Sequence, residues 1–165
     1  MFKFISIIFC IILFTFKANS EVVKNIEVKN NNRVSKDTIL IFSKIDIGKD
    51  YSENDLNIII EDLYKTDFFS NVSLEIVNGT LIIDVEENKI IQQVIIEGIK
   101  KGEIVKLLKD KISTKDKNPF LENNIRSDIR LMKKILKNSG YYFSEINDKI
   151  VENSNNTVNV LFNIK

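Results

Sequence analysis

Two runs of carboxylates are the places where this chain could do chemistry: Asp84-Val85-Glu86-Glu87, and the acids scattered from Asp46 to Asp55. Paired carboxylates suit general acid–base work, and acids at alternate positions suit a calcium loop. Neither pattern is completed. The first run closes an alternating strand at the joint of two similar halves, so it reads as a solvated linker. The second lacks the alternate ligand positions, and Gly48 falls away from the place of a calcium loop's central glycine. The sequence has no histidine, and its one cysteine is Cys10. That removes the common zinc sites, the Ser-His-Asp and Cys-His nucleophile arrangements, and redox thiols. Gly102 and Gly140 stand alone, so no glycine-rich loop cradles a phosphate. No catalytic, cofactor-binding or metal-binding residue is assigned, and the chain is expected not to be an enzyme. With 24 basic and 23 acidic residues, it has no electrostatic case for binding nucleic acid either.

An export signal is expected at the start. Met1-Phe2-Lys3 is a short basic region, Phe4 to Phe16 is an apolar run, and Ala18-Asn19-Ser20 places small residues where a signal peptidase reads. The cut is expected before Glu21, marked by Ala18 and Ser20. As a helix the apolar run rises roughly 20 Å, short of the ~30 Å hydrocarbon core, which disfavours a retained anchor. Cys10 follows Phe9 in mid-run, where a lipidated cysteine needs a small residue before it. Loss of Lys3 and Lys17 takes the net charge from +1 to −1. The exported part then has no cysteine and no disulfide.

The elements behind the leader come twice. Val23, Ile26 and Val28 form a half-buried strand that ends at Asn30-Asn31-Asn32. Ser35 caps a helix with Asp37 in its first turn, carrying Ile39, Leu40, Phe42 and Ile45 to the core. Residues 47–51 read as a loop. Ser52 caps a second helix with Asp55 three residues on, and Leu56, Ile59, Ile60, Leu63 and Tyr64 form one clean stripe. Thr66-Asp67-Phe68-Phe69-Ser70 closes it. A strand through Leu74 and Ile76 meets the hairpin signal Asn78-Gly79 and returns from Thr80 to Val85.

The second half has the same order. Ile90 to Gly98 is a strand; Ile104, Leu107, Leu108 and Ile112 stripe a helix; residues 113–119 are a polar loop. Ile125, Ile129, Met132, Ile135 and Leu136 stripe another helix, which Gly140 stops. Tyr141-Tyr142-Phe143 echoes Phe68-Phe69, and both clusters are expected to pack on the helices rather than form a peptide groove. A strand through Ile146 and Ile150, a turn at residues 153–156 and a strand from Thr157 to Ile164 complete it. A repeat of this kind implies modules that are marginal alone and lean on one another across a short joint at Glu87-Asn88-Lys89. The expected boundaries are a signal peptide at 1–20 and modules at 21–87 and 88–165. The three Asn-x-Ser/Thr matches at Asn71, Asn78 and Asn155 carry little weight, since two sit in hairpin turns for conformational reasons.

At these residues the chain resembles a known family. The order strand-helix-helix-strand-strand, with Thr66-Asp67-Phe68-Phe69-Ser70-Asn71-Val72 after the second helix, is similar to a POTRA (polypeptide-transport-associated) module. Arg33-Val34-Ser35-Lys36-Asp37-Thr38-Ile39 resembles the first POTRA of the BamA family of outer-membrane assembly proteins. Val85-Glu86-Glu87-Asn88-Lys89-Ile90-Ile91 resembles that family's junction to the second, and Ser139-Gly140-Tyr141-Tyr142 its second aromatic turn. Two departures stand out: the family usually has Gly-Asn after the first strand, where this chain has Asn30-Asn31 and Gly98-Ile99, and a proline where Lys89 stands. The resemblance implies an α+β fold of tandem POTRA modules, each β-α-α-β-β with a three-stranded mixed sheet covered on one face by two helices. The family carries further repeats and a C-terminal membrane barrel, so the chain is expected to be the N-terminal piece of such a protein or a truncated relative.

The resemblance also implies a site. In POTRA modules the strand after the second helix is a sheet edge, here Val72, Ser73, Leu74, Glu75, Ile76 and Val77 in the first module and Glu145, Ile146, Asn147, Asp148 and Lys149 in the second. An extended guest adds to such an edge through main-chain hydrogen bonds, which tolerate many sequences. The bland alternative is an ordinary edge guarded by Lys149 and Glu75. The implied partners are unfolded outer-membrane protein clients, assembly-complex lipoproteins and periplasmic chaperones, at the periplasmic face of the outer membrane. Two alternatives stay open: the POTRA arm of a two-partner secretion or autotransporter-assembly pore, and an inner-membrane-anchored division protein that keeps Phe4–Phe16.

Overall fold

The computed structural model describes residues 21–165, and the expected leader, with Ala18 and Ser20, lies outside them. In chain order the elements are β1 (Glu21–Val22), β2 (Asn25–Lys29), α1 (Lys36–Ser43), β3 (Asp50–Tyr51), α2 (Glu53–Tyr64), β4 (Phe69–Val77) and β5 (Thr80–Glu87). The second half follows with β6 (Ile90–Glu97), α3 (Gly102–Lys111), α4 (Glu122–Asn138), β7 (Ile146–Glu152) and β8 (Thr157–Ile164). They build two three-stranded sheets in the orders β2-β5-β4 and β6-β8-β7. In each, the central strand runs parallel to the first strand and antiparallel to the strand after the second helix. The tandem mixed-sheet α+β architecture expected from the sequence is therefore the one observed. A small ribbon is new: residues 50 and 51, expected in a loop, pair antiparallel with Val22 and Glu21.

Local chemistry accounts for the boundaries. Ser35 accepts from the Thr38 amide at the start of α1. Ser52 and Asp55 complete a reciprocal capping box at α2, with the Ser52 amide donating to the Asp55 carboxylate at 2.9 Å. Asn78 and Gly79 both take positive φ, as a two-residue hairpin requires. After β2 and β6 the chain needs a left-handed residue, supplied by Asn30 at φ 60° and Gly98 at φ 95°. The departure from the family's usual Gly-Asn is thus mild, because asparagine is the side chain best able to stand in for glycine there.

Each sheet buries one face under its two helices. In the first half Ile39, Ile59, Leu63, Val72, Leu81 and Ile83 meet. In the second, Leu108, Met132 and Leu136 pack on Val158, Val160 and Phe162, all six fully buried. Most of the apolar helical stripes face the core, with exceptions. Phe42 is 38% exposed, and its ring meets Phe68 edge-on at 5.9 Å. Leu107 faces outward, and Leu108 and Ile112 do the packing. The aromatic echo fails in part: Phe69 is buried and Tyr141 packs on the core, but Tyr142 and Phe143 are 68% and 97% exposed. No helix among the described residues is long and apolar enough to cross a membrane.

Candidate docking site

The edge residues singled out from the sequence fall where an added strand would need them. Val72 to Val77 lie in β4 and Ile146 to Lys149 in β7, and both strands are outermost in their sheets. Glu145 precedes β7 and exchanges two main-chain bonds of 2.9 Å with Lys165. Glu21, expected to follow the signal cut, opens β1.

Those bonds fix which amides face out. Antiparallel pairs alternate between bonded and non-bonded. Since Glu145 bonds inward, so do Asn147, Lys149 and Val151, leaving the N–H and C=O of Ile146, Asp148, Ile150 and Glu152 turned to the open edge. In β4 the Val72 amide donates outward to the Tyr64 hydroxyl at 3.2 Å, so Leu74 and Ile76 share its outward sense. Glu75 and Lys149 carry exposed side chains on inward-bonding residues, and among the described residues neither side chain bonds an outward main-chain group of its strand.

Beside β7 lies a groove of about 310 Å³, lined by Phe120, Glu122, Ile125, Arg126, Asp148 and Ile150. Phe120 and Glu122 also line a cleft of about 1060 Å³ between the two halves, which takes in Ser70 and Asn71 of β4, Glu86 of β5 and Glu152 at the end of β7. The groove along one edge and the cleft between the sheets thus share Phe120 and Glu122 as walls. Among the described residues no cluster of acids, cysteines or histidines could hold a metal.

The joint contains the main departure from the sequence reading. Glu87, expected in a solvated linker, is buried, its side chain only 2% exposed. One carboxylate oxygen accepts the amides of Asn32, Arg33 and Val34 at 2.8, 2.8 and 2.9 Å, and the other accepts Arg33 Nε at 3.0 Å. Burial by itself would raise this carboxyl, but the amides of Val34, Asn32 and Arg33 and the guanidinium outweigh it and hold it below the ordinary glutamate value. The same guanidinium donates onward to the carbonyls of Asn88 and Asn156, the second in the β7–β8 turn. Asn88 is held by its amide to Phe68 O at 2.8 Å and by its side chain to Asp67 O at 2.8 Å. One arginine therefore ties the β2–α1 loop, the joint and the second sheet's hairpin together. A second buried acid escaped the sequence reading: Asp128 on α4 is 1% exposed and accepts the amides of Ser113 and Thr114 at 2.8 and 2.7 Å. Its place between Ile125 and Met132 on the buried stripe was the available signal.

Two small mixed sheets, each under a helix pair and each flanked by a strand with one open edge, form a tandem with the fold of POTRA modules. Residues 89–165 match the family profile described as "POTRA: Surface antigen variable number repeat". The chain is 26% identical over 159 residues to the outer membrane protein assembly factor BamA of Neorickettsia risticii (strain Illinois), covering 96% of this chain and 21% of that protein. It therefore spans about a fifth of the length of this curated relative. Among solved structures it resembles the N-terminal domain of Omp85 from Thermosynechococcus elongatus, at 11% identity and TM-score 0.58 over 87% of this chain and 63% of that one. It also resembles POTRA1-2 of the periplasmic domain of Omp85 from Anabaena, at 16% identity and TM-score 0.51 over 88% and 96%. These structural likenesses show the shared fold. With the sequence relative, they bear out the BamA-type POTRA resemblance carried by the motifs.

Proposed function

We propose that the chain is a non-enzymatic docking arm that takes part in building β-barrel proteins into the bacterial outer membrane. It works by lending a sheet edge to extended clients or to partner proteins of the assembly complex, lipoproteins and chaperones among them. The observation that carries this reading is the outward alternation of N–H and C=O along β4 and β7, with a groove beside β7. An edge of this kind recognises a strand by its backbone and is indifferent to most of its sequence, which suits a handler of many unfolded barrels. The same reading assigns residues 1–20 to an export signal, 21–87 and 88–165 to successive modules, and the working place to the periplasm. It draws on the name of the BamA relative, an outer membrane protein assembly factor.

Proline tests the mechanism without dismantling the sheets. At Leu74 or Asp148 the lost N–H points outward, so proline removes no bond to the neighbouring strand. At Glu75 it would break the ladder to Ile82, which makes that position unsuitable. A Leu74→Pro/Asp148→Pro chain is expected to keep its circular dichroism spectrum and lose photo-crosslinking to an unfolded outer-membrane protein. Undiminished crosslinking by the folded variant would contradict strand addition.

A further inference from the structure

The sheet edges are not equivalent. On the β2 edge Lys36 Nζ donates to Ile26 O at 2.7 Å and so occupies one outward carbonyl. The β6 edge is covered by the loop before α4: the Ile91 amide donates to Asn118 O, the Lys117 amide to Ile91 O, and the Val94 amide to the Asp116 carboxylate. The β4 edge is plugged at its head by Tyr64, whose hydroxyl accepts from Val72 N and bonds Asn71 Oδ1 at 3.3 Å. Among the described residues the main-chain groups of Leu74 and Ile76 have no such partner there. On β7 no loop or side chain among the described residues bonds the outward groups of Ile146, Asp148, Ile150 or Glu152. Blunting edges is how folded proteins avoid unwanted strand pairing, and an edge left bare beside a groove is the exception.

We infer that β7, not β4, is the receptive edge of this chain, and that its guest is an extended segment of alternating apolar residues with a basic flank. The inference rests on the strand-addition reading and names the edge and the class of segment. Side chains on one face of a strand added to β7 would lie over Phe120, Ile125 and Ile150. Past Glu152 the segment enters the cleft, whose ionisable lining is Asp67, Asp84, Glu86, Glu87, Glu122 and Glu152 against Lys89 alone. Glu87 is taken by Arg33, Glu152 by Lys89 and Glu122 by Arg126. The side chains of Asp67 and Glu86 have no partner among the described residues. A lysine or arginine carried in beside the strand finds uncompensated carboxylates there, and an acidic flank meets repulsion. Tyr64 then acts as a guard that keeps the first edge from competing.

The test is amide hydrogen exchange on the full chain with a short synthetic peptide alternating Val with Thr and ending in lysines, and a twin ending in glutamates. The lysine peptide is expected to slow exchange at Ile146, Asp148, Ile150 and Glu152 while Leu74 and Ile76 exchange as before. The glutamate twin is expected to bind at least about fivefold more weakly at low salt, with the gap closing in molar salt. Tyr64→Phe removes the plug and is expected to let the lysine peptide slow Val72, Leu74 and Ile76 as well. Protection confined to β4 in the native chain would overturn the inference and leave strand addition standing. Equal affinity of the twins would overturn the charged flank, and protection at neither edge would overturn strand addition itself.

Discussion

Replacing Glu87 by glutamine isolates the clamp at the joint between the modules. The substitution keeps the shape and one acceptor oxygen, so the amides of Asn32, Arg33 and Val34 still have a partner, but it removes the charge and sets an NH2 group against Arg33 Nε. Hydrogen bonds to a charged acceptor contribute about 1.5–3 kcal/mol and neutral ones about 0.5–1.5. Three weakened bonds, shared on one oxygen and not additive, put the loss at about 2–3 kcal/mol. The guanidinium pair adds little, because Arg33 is 37% exposed and screened by water. For a module of this size that is roughly a 10–20 °C fall in Tm. The pH dependence gives the sign. Glu87 is held below its ordinary value when folded, so its contribution is complete above about pH 4.3 and is lost as pH falls through the lower folded-state value. Thermal and urea melts of both proteins should therefore show a gap that is constant from neutral pH to about pH 5 and narrows in more acid solution. Glu86→Gln, at an exposed neighbour with no side-chain partner among the described residues, should stay within about 0.5 kcal/mol of the native chain. A Glu87→Gln protein within that same margin at pH 7, or a gap that widens on acidification, would refute the clamp.

Further expectations concern the second module and its surface. Asp128→Ala strands the amides of Ser113 and Thr114 in a buried place and should cost about 2–4 kcal/mol in urea denaturation. Gly98→Ala should cost more than the ~1 kcal/mol of an ordinary glycine replacement, because its new Cβ would sit 1.7 Å from Ile164 O at φ +95°; its melting curve checks this. Phe143→Ser removes a ring that is 97% exposed and should leave the melting curve unchanged within about 0.5 kcal/mol.

Much of the fold was legible because its signals are local. The Ser52–Asp55 box, the Asn78-Gly79 turn and the Leu56-to-Leu63 stripe each lie within one or two turns of chain, and each appeared in place. The long-range features were not legible. Nothing near Glu87 in the sequence tells that Asn32, Arg33 and Val34 turn their amides toward it, since that depends on β2 and β5 lying side by side. Asp128 sits on an otherwise apolar stripe, and its partners Ser113 and Thr114 are on another segment. Tyr142 and Phe143 misled in the opposite direction: aromatic rings predict burial by their area, but the chain leaves α4 through Gly140 with room for one of the three rings. The candidate edge residues were found from the order of elements, whereas the inequality of the two edges depends on a single Tyr64 hydroxyl.

The central claim is that a guest backbone joins this chain as an added strand. The most direct measurement is a set of isotope-filtered nuclear Overhauser spectra of the labelled chain with an unlabelled strand peptide. Close main-chain contacts from the peptide's α-protons to Ile146, Asp148 and Ile150 are expected. Contacts confined to the exposed rings of Tyr142 and Phe143, with none to the strand backbone, would contradict it.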